Sequence, residues 1–160
     1  MMLLIKLLLA HFLGDFLFQS EKSVRNKEEK RIRSPHLYIH MVIHAILLII
    51  LLGSSTSFWP ILGIIIISHY LIDLGKLYFQ DQKNKRKAFF VDQFLHLVII
   101  VLTAQFYEPY FDQLKISGSQ LLLILLALTL LTIVSALMIR MIISIWSPQT
   151  NDSDDESLAK

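Results

Sequence analysis

Long apolar stretches alternate along this chain with short charged ones. The apolar segments lie at about 2–19, 37–53, 58–79, 90–107 and 119–146. Each is close to the roughly 20 residues that an α-helix needs to cross the hydrocarbon core of a bilayer. The pattern therefore predicts an all-α, polytopic membrane helical bundle of five transmembrane helices over residues 1–146. Residues 147–160 are polar and acidic, and we expect them to form a disordered tail.

Basic side chains are concentrated in two of the connections between these segments. Residues 20–35 hold six Lys or Arg, and residues 80–89 hold four. Because basic loops tend to stay in the cytoplasm, the amino end is predicted to lie outside and the acidic tail in the cytoplasm. The first segment has no small-residue cleavage site, so we expect it to be retained rather than removed as a signal peptide.

Four of the five segments contain a pair of ionisable side chains spaced i and i+4. The pairs are His11 and Asp15, His40 and His44, His69 and Asp73, and Asp92 and His96. This spacing places both members of a pair on one helix face. At 1.5 Å of rise per residue, all of them fall about 5–15 Å from the predicted cytoplasmic boundary. A bilayer penalises a central Asp by about 2.5–3.5 kcal/mol, so the shared depth predicts one functional site that faces the cytoplasm.

Two of these helices share a short motif. The strings HFLGDF at 11–16 and HYLIDL at 69–74 match as H-aromatic-L-x-D-apolar. Each is followed by a basic connection and by a helix with a second polar pair. The similarity predicts a pseudo-repeat of two parallel helical hairpins related by an axis along the membrane normal.

The polar cluster supplies nitrogen and oxygen ligands, and the chain has no cysteine that could add sulfur. This ligand set suits a divalent metal such as Zn, Fe or Mn. The candidate ligands are His11, His40, His44, His69, His96, Asp15, Asp73 and Asp92. Of these, the candidate catalytic bases are Asp15, Asp73 and Asp92. We expect Gln19, Lys76 and Gln93 to contact a substrate or to orient the ligands.

Simpler interpretations of the same residues stay open. Asp92 could cap the amino end of the fourth helix. Asp73 could form a structural ion pair with Lys76, one turn away. Without a metal, the whole cluster could be a proton relay or a salt-bridged network of His and Asp.

Three motifs together link the chain to a known family. They are H-x-x-G-D-F-x-x-Q at 11–19, H-x-x-x-D-x-x-K at 69–76 and D-Q-x-x-H at 92–96. As a set they resemble a family of small bacterial inner-membrane proteins of unknown function, over about residues 5–105. The resemblance implies a multi-pass protein of the bacterial plasma membrane and points to the same polar residues. It implies no substrate and no reaction.

These observations favour a membrane-embedded metal-dependent hydrolase. The expected partners are the lipid bilayer and an amphiphilic or anionic substrate from the cytoplasmic leaflet, with no nucleic acid and with homo-oligomerisation left open. The first alternative is a cation or proton-coupled transporter, although the outer halves of the segments are almost free of polar atoms. The second is a non-catalytic accessory protein in which the polar cluster holds the bundle together.

Overall fold

The computed structural model describes residues 2–53, 55–81, 83–112 and 119–143. Within these ranges the chain is helical and contains no strand, which confirms the predicted all-α class. The predicted acidic tail, 147–160, lies outside the described residues, so its disorder and the proposed domain boundary stay predictions.

Seven α-helices follow one another in the described part of the chain. They are α1 (Met2–Phe12), α2 (Glu21–Lys30), α3 (Pro35–Leu52), α4 (Trp59–Phe79), α5 (Lys85–Asp112), α6 (Ser119–Thr129) and α7 (Ser135–Ile143). A π-helical turn, Leu13–Leu17, continues α1, and a second one, Leu130–Val134, joins α6 to α7. Proline stands in the first turn of both α3 and α4, where its missing N–H costs no hydrogen bond.

Within the described ranges, four helical segments are long and apolar enough to cross a membrane. They are Pro35–Leu52, Thr56–Phe79, Lys85–Pro109 and Gln120–Ile143. The segment Met2–Leu17 passes the same test only together with Glu21–Arg33, and the chain bends by 86° between the two. Alone, its 16 residues would extend about 24 Å at 1.5 Å per residue. The structure therefore supports four spans, or five if the bent pair counts as one.

Helix α1 is the central element of the bundle and packs against α3, α5 and α6. Its buried residues Leu3, Leu7 and Ala10 join side chains from α3, α4 and α5 in the main apolar core. A second apolar cluster connects α1 to α6 and to Val134. The amino end of α1 is held by Glu108 of α5, whose carboxylate accepts hydrogen bonds from the backbone N–H groups of Leu3 and Leu4 at 3.2 and 3.4 Å.

Large apolar side chains cover the outside of the bundle. Ile50, Ile67, Leu102 and Leu131 are each more than half exposed, and they come from different helices. Soluble monomers rarely expose continuous apolar surface on this scale. The outer surface is therefore compatible with lipid contact.

Candidate metal centre

The predicted polar side chains form one buried cluster. His11 belongs to α1, Asp15 to the π-helical turn after it, and the remaining members lie on α3, α4 and α5. Each of the five histidines in the cluster is at most 3% exposed. The apolar core occupies the side of the cluster that faces the 53–58 connection. The structure thus brings the candidate residues together, while the chemical role of each stays a prediction.

Asp15 lies at the centre of the cluster. Its Oδ1 atom is 2.9 Å from His44 Nε2, 3.2 Å from His40 Nε2 and 3.3 Å from His69 Nε2. The Nε2 atoms of His40 and His69 are 3.1 Å apart. Four ligating atoms from three segments of the chain therefore surround one small volume. Asp15, His40, His44 and His69 can all offer ligand atoms within 4.8 Å of one another.

The backbone around Asp15 is shaped for this approach. Asp15 lies in a π-helical turn, an element that is rare in proteins and often marks functional sites. The preceding Gly14 is buried against the His44 imidazole, and a Cβ atom at this position would overlap the ring. Gly14 belongs to the motif H-x-x-G-D-F-x-x-Q, and this close approach is the physical reason for a glycine there.

Gln93 connects several members of the cluster. Its Nε2 donates to Asp15 Oδ2 at 3.2 Å and to Asp92 Oδ2 at 3.1 Å. Its Oε1 lies 3.3 Å from His11 Nε2. Because carboxylates only accept hydrogen bonds, they fix the amide nitrogen of Gln93 on their side and its oxygen towards His11. Gln19, the other predicted amide, lies 3.2 Å from His40 Nε2.

Two lysines pair with the remaining carboxylates. Lys27 of α2 donates to Asp73 Oδ2 at 2.9 Å, and both side chains are buried. Lys76 donates to Asp92 Oδ2, also at 2.9 Å. The alternative pairing of Asp73 with Lys76 is therefore wrong, because α2 folds back and supplies a different cation. The cap interpretation of Asp92 is also wrong, because α5 begins earlier, at Lys85.

Sequence reasoning did not identify Lys27 as a site residue. It treated residues 20–35 as a charged connection that sets topology, whereas the structure folds part of this stretch into α2. A lysine in a run of charges carries no pattern that separates a buried partner from an exposed one.

A cavity of about 460 Å³ opens on the α2 side of the cluster. Asp15, Asp73, Asp92 and Gln93 line its inner end. Its other lining residues are basic (Arg25, Lys76, Lys85 and Arg140), acidic (Glu21 and Glu28), amide (Gln19 and Gln80) and apolar (Phe16, Val24, Phe89, Leu137 and Met141). Several bases are neutralised locally, for example Lys85 by Glu28 at 2.7 Å. The polar cluster is therefore accessible from a mixed polar and apolar vestibule.

A family model matches residues 3–125, which is most of the chain. The chain belongs to DUF3307, a family of proteins of unknown function. The match extends beyond the 5–105 range of the resemblance seen in the sequence and includes the first part of α6. Neither the curated proteins nor the solved structures contain a match to the chain.

Proposed function

We propose that this DUF3307 protein is a multi-pass protein of the bacterial plasma membrane that binds a divalent metal ion, zinc in the first place, through Asp15, His40, His44 and His69. We further propose that the metal centre hydrolyses an amphiphilic substrate with an anionic group. The apolar outer surface of the bundle supports the membrane setting. The buried cluster of His and Asp supports the metal.

The observation that carries the metal proposal is the geometry around Asp15 Oδ1. Four tetrahedral ligands about 2.0–2.1 Å from a zinc ion are about 3.3–3.4 Å from one another. The four separations given above run from 2.9 to 3.3 Å. These four separations would therefore need to lengthen by at most a few tenths of an ångström to match the spacing of zinc ligands.

A purely hydrogen-bonded network explains the same contacts less well. Each Nε2 atom carries either one proton or one lone pair in the ring plane. When His40 and His69 share a hydrogen bond at 3.1 Å, one of them accepts with its lone pair. That lone pair also lies 3.2 or 3.3 Å from the negative Asp15 Oδ1. A cation among the three atoms removes this repulsion.

The vestibule supports the substrate class. Arg25 places positive charge at its wall, whereas Lys85 and Arg140 are paired with Glu28 and Glu21. Phe16 and Leu137 add apolar surface. A molecule with an anionic group and an acyl or aryl part would match both kinds of wall. Metal ions supply such hydrolases with an activated water at neutral pH. Asp92 is a suitable base, because its Oδ1 atom is buried and has no hydrogen-bond partner among the described residues.

We also propose the topology that the charges favour. The basic stretches 20–35 and 80–89 would lie in the cytoplasm and the amino end outside, with α1 as the first of five spans. The proposed pseudo-repeat of two hairpins is compatible with the cluster, to which α1 and its π-helical turn contribute one His–Asp motif and α4 contributes the other. It is not symmetric in detail, since Asp15 faces three histidines whereas Asp73 also pairs with Lys27.

The transporter alternative meets an obstacle in the packed interior. Leu7, Leu48, Ile65 and Ile100 fill the space between the cluster and the opposite end of the bundle. A conducting path needs polar groups or water along its length. Among the described residues, the side chains that form this core cluster are all apolar.

Metal analysis of the protein purified in mild detergent tests the proposal. After loading with zinc and desalting, we expect at least one ion per chain in the parent. We call the four proposed ligands Asp15, His40, His44 and His69 the first cage. His44→Ala should weaken zinc binding at this cage by more than tenfold, whereas His36→Ala should leave zinc binding unchanged. His36 is a matched control because it lies on the same helix and outside the metal-ligand groups. A folded parent that retains no metal would contradict the proposal.

The hydrolase part needs a separate measurement. We expect anionic amphiphilic esters, presented in mixed micelles, to be cleaved by the zinc-loaded parent and by His36→Ala. Chelation should abolish cleavage and zinc should restore it, while His44→Ala should be inactive with either treatment. Cleavage that persists undiminished in chelated protein would contradict a metal-dependent hydrolase.

A further inference from the structure

Two ring nitrogens in the cluster have no hydrogen-bond partner among the residues that the structure describes. They are His11 Nδ1 and His96 Nε2, and both are buried. Neither atom is part of the cage around Asp15 Oδ1. An unsatisfied buried polar atom is costly in a native structure. A ligand bound to these two atoms would remove this cost.

The hydrogen bonds of the opposite ring nitrogens determine what kind of ligand this is. His96 Nδ1 lies 2.9 Å from the backbone oxygen of Asp92, which can only accept, so Nδ1 carries the proton. His11 Nε2 lies 3.3 Å from Gln93 Oε1, which the carboxylates hold in the accepting orientation. Both imidazoles, when neutral, therefore turn a lone pair into the cluster. Metal-binding histidines are commonly oriented by such a bond from the other nitrogen.

A third potential ligand atom, the second carboxylate oxygen of Asp15, lies near these two ring nitrogens. Asp15 Oδ2 is 3.7 Å from His11 Nδ1. His11, Asp15 and His96 can offer ligand atoms within 4.8 Å of one another. A cavity of about 10 Å³ borders His11 and His96; His44, His69, Ser68 and apolar side chains of the core complete its lining, and Asp15 is not part of it. Its volume is close to the space that one water molecule or one small ion requires.

We propose that the cluster holds a second divalent ion, bound by His11 Nδ1, His96 Nε2 and Asp15 Oδ2, with the Asp15 carboxylate bridging it to the ion of the first cage. The inference rests on the proposed metal function, because both ions share Asp15. Carboxylate-bridged pairs of metals are an established arrangement in helical bundles and in hydrolytic enzymes.

The ligand count assigns different tasks to the two ions. The first cage has four protein ligands, which is typical of a closed, structural zinc site. The second position has three, which leaves room for a water molecule, as in catalytic zinc sites. The second ion is therefore the one that a substrate or a water can reach. Gln93 is a positioning residue for it, because it orients both Asp15 and His11.

The stoichiometry of zinc tests this inference. In the parent protein, loaded with zinc in mild detergent and desalted, we expect two ions per chain by elemental analysis and by native mass spectrometry. His96→Ala and His11→Ala should each retain one ion and lose the other. His36→Ala should retain two. Circular dichroism and size-exclusion chromatography verify that each variant is folded. Because His11 and His96 lie on different helices, one variant still tests the inference if the other does not fold.

A second measurement reports on the bridge independently of activity. In the protein loaded with two equivalents of cobalt(II), magnetic coupling through Asp15 should reduce the electron paramagnetic resonance signal per ion, and His96→Ala should restore it. A parent with one ion that His96→Ala and His11→Ala leave in place would overturn the second site and leave the first intact. Two ions retained in folded His96→Ala and His11→Ala would also overturn it. A folded parent without metal would contradict both proposals.

Discussion

Gly14 lies so close to the His44 imidazole that a Cβ atom at this position would overlap the ring. We therefore expect Gly14→Ala to push His44 away from Asp15 Oδ1, which is now 2.9 Å distant. Zinc affinity should fall at least tenfold, and overpacking should lower the free energy of unfolding by about 1–3 kcal/mol. Zinc titration and thermal unfolding in detergent measure the two effects.

Gly75 is the matched control for this substitution. It also lies within a helix, α4, but a Cβ atom there would have no neighbour within 4 Å. Replacing a helical glycine by alanine typically stabilises by about 0.5–1 kcal/mol. Gly75→Ala should therefore keep full zinc affinity. Equal loss of zinc in the two variants would show that helix geometry, rather than contact with His44, decides the result.

Where residues follow regular helical spacing, the sequence predicted which side chains come together in the cluster. The i and i+4 pairs on α3, α4 and α5 correctly indicated which side chains would meet, because an α-helix fixes the face of each residue. The π-helical turn and the orientation of Gln93 could not be predicted in this way. Both depend on contacts between segments that are far apart in the sequence.

At the scale of elements, helix α2 is attached to the bundle through one buried ion pair. Lys27 donates to Asp73 at 2.9 Å, and the two side chains are 6% and 7% exposed. Removing one partner of a buried pair leaves the other charge unpaired, at a cost of about 3–5 kcal/mol. Lys27→Met should therefore destabilise the docking of α2. Hydrogen exchange of the α2 amides should become much faster.

Lys30→Met provides the control within the same helix, since Lys30 is exposed and lies outside the ion pairs of the described residues. We expect hydrogen exchange in this variant to match the parent. The double variant Lys27→Met, Asp73→Leu should recover part of the lost protection, because neither charge is then left alone. Fast exchange in the parent itself would mean that the pair does not hold α2 in place.

The location of α2 explains why the sequence predicted the spans better than the connections. Apolar length is a strong signal for a helix that crosses a bilayer, and four of the predicted segments meet it in the structure. The charged stretch 20–35 has no such signal, and its fold depends on Asp73 of a distant helix.

For the whole molecule, the distribution of charge predicts which end faces the cytoplasm. The connections at 20–35 and 80–89 carry ten Lys or Arg between them, whereas residues 53–57 carry no charge. The positive-inside tendency then predicts that the vestibule and the proposed metal centre face the cytoplasm. A substrate would enter from the cytoplasm or from the inner leaflet. The opposite orientation would expose the same centre to the outside.

The absence of native cysteine makes this orientation directly measurable. In spheroplasts, a single cysteine at Thr56→Cys should react with a membrane-impermeant maleimide. A cysteine at Asp81→Cys should react only after the membrane has been permeabilised. Both positions are exposed in the structure and lie at opposite ends of α4, so differences in burial cannot explain a different result. Labelling of Asp81→Cys in intact spheroplasts would reverse the topology and move the proposed hydrolysis to the outer face, because the vestibule lies at the same end of the bundle as the basic connections.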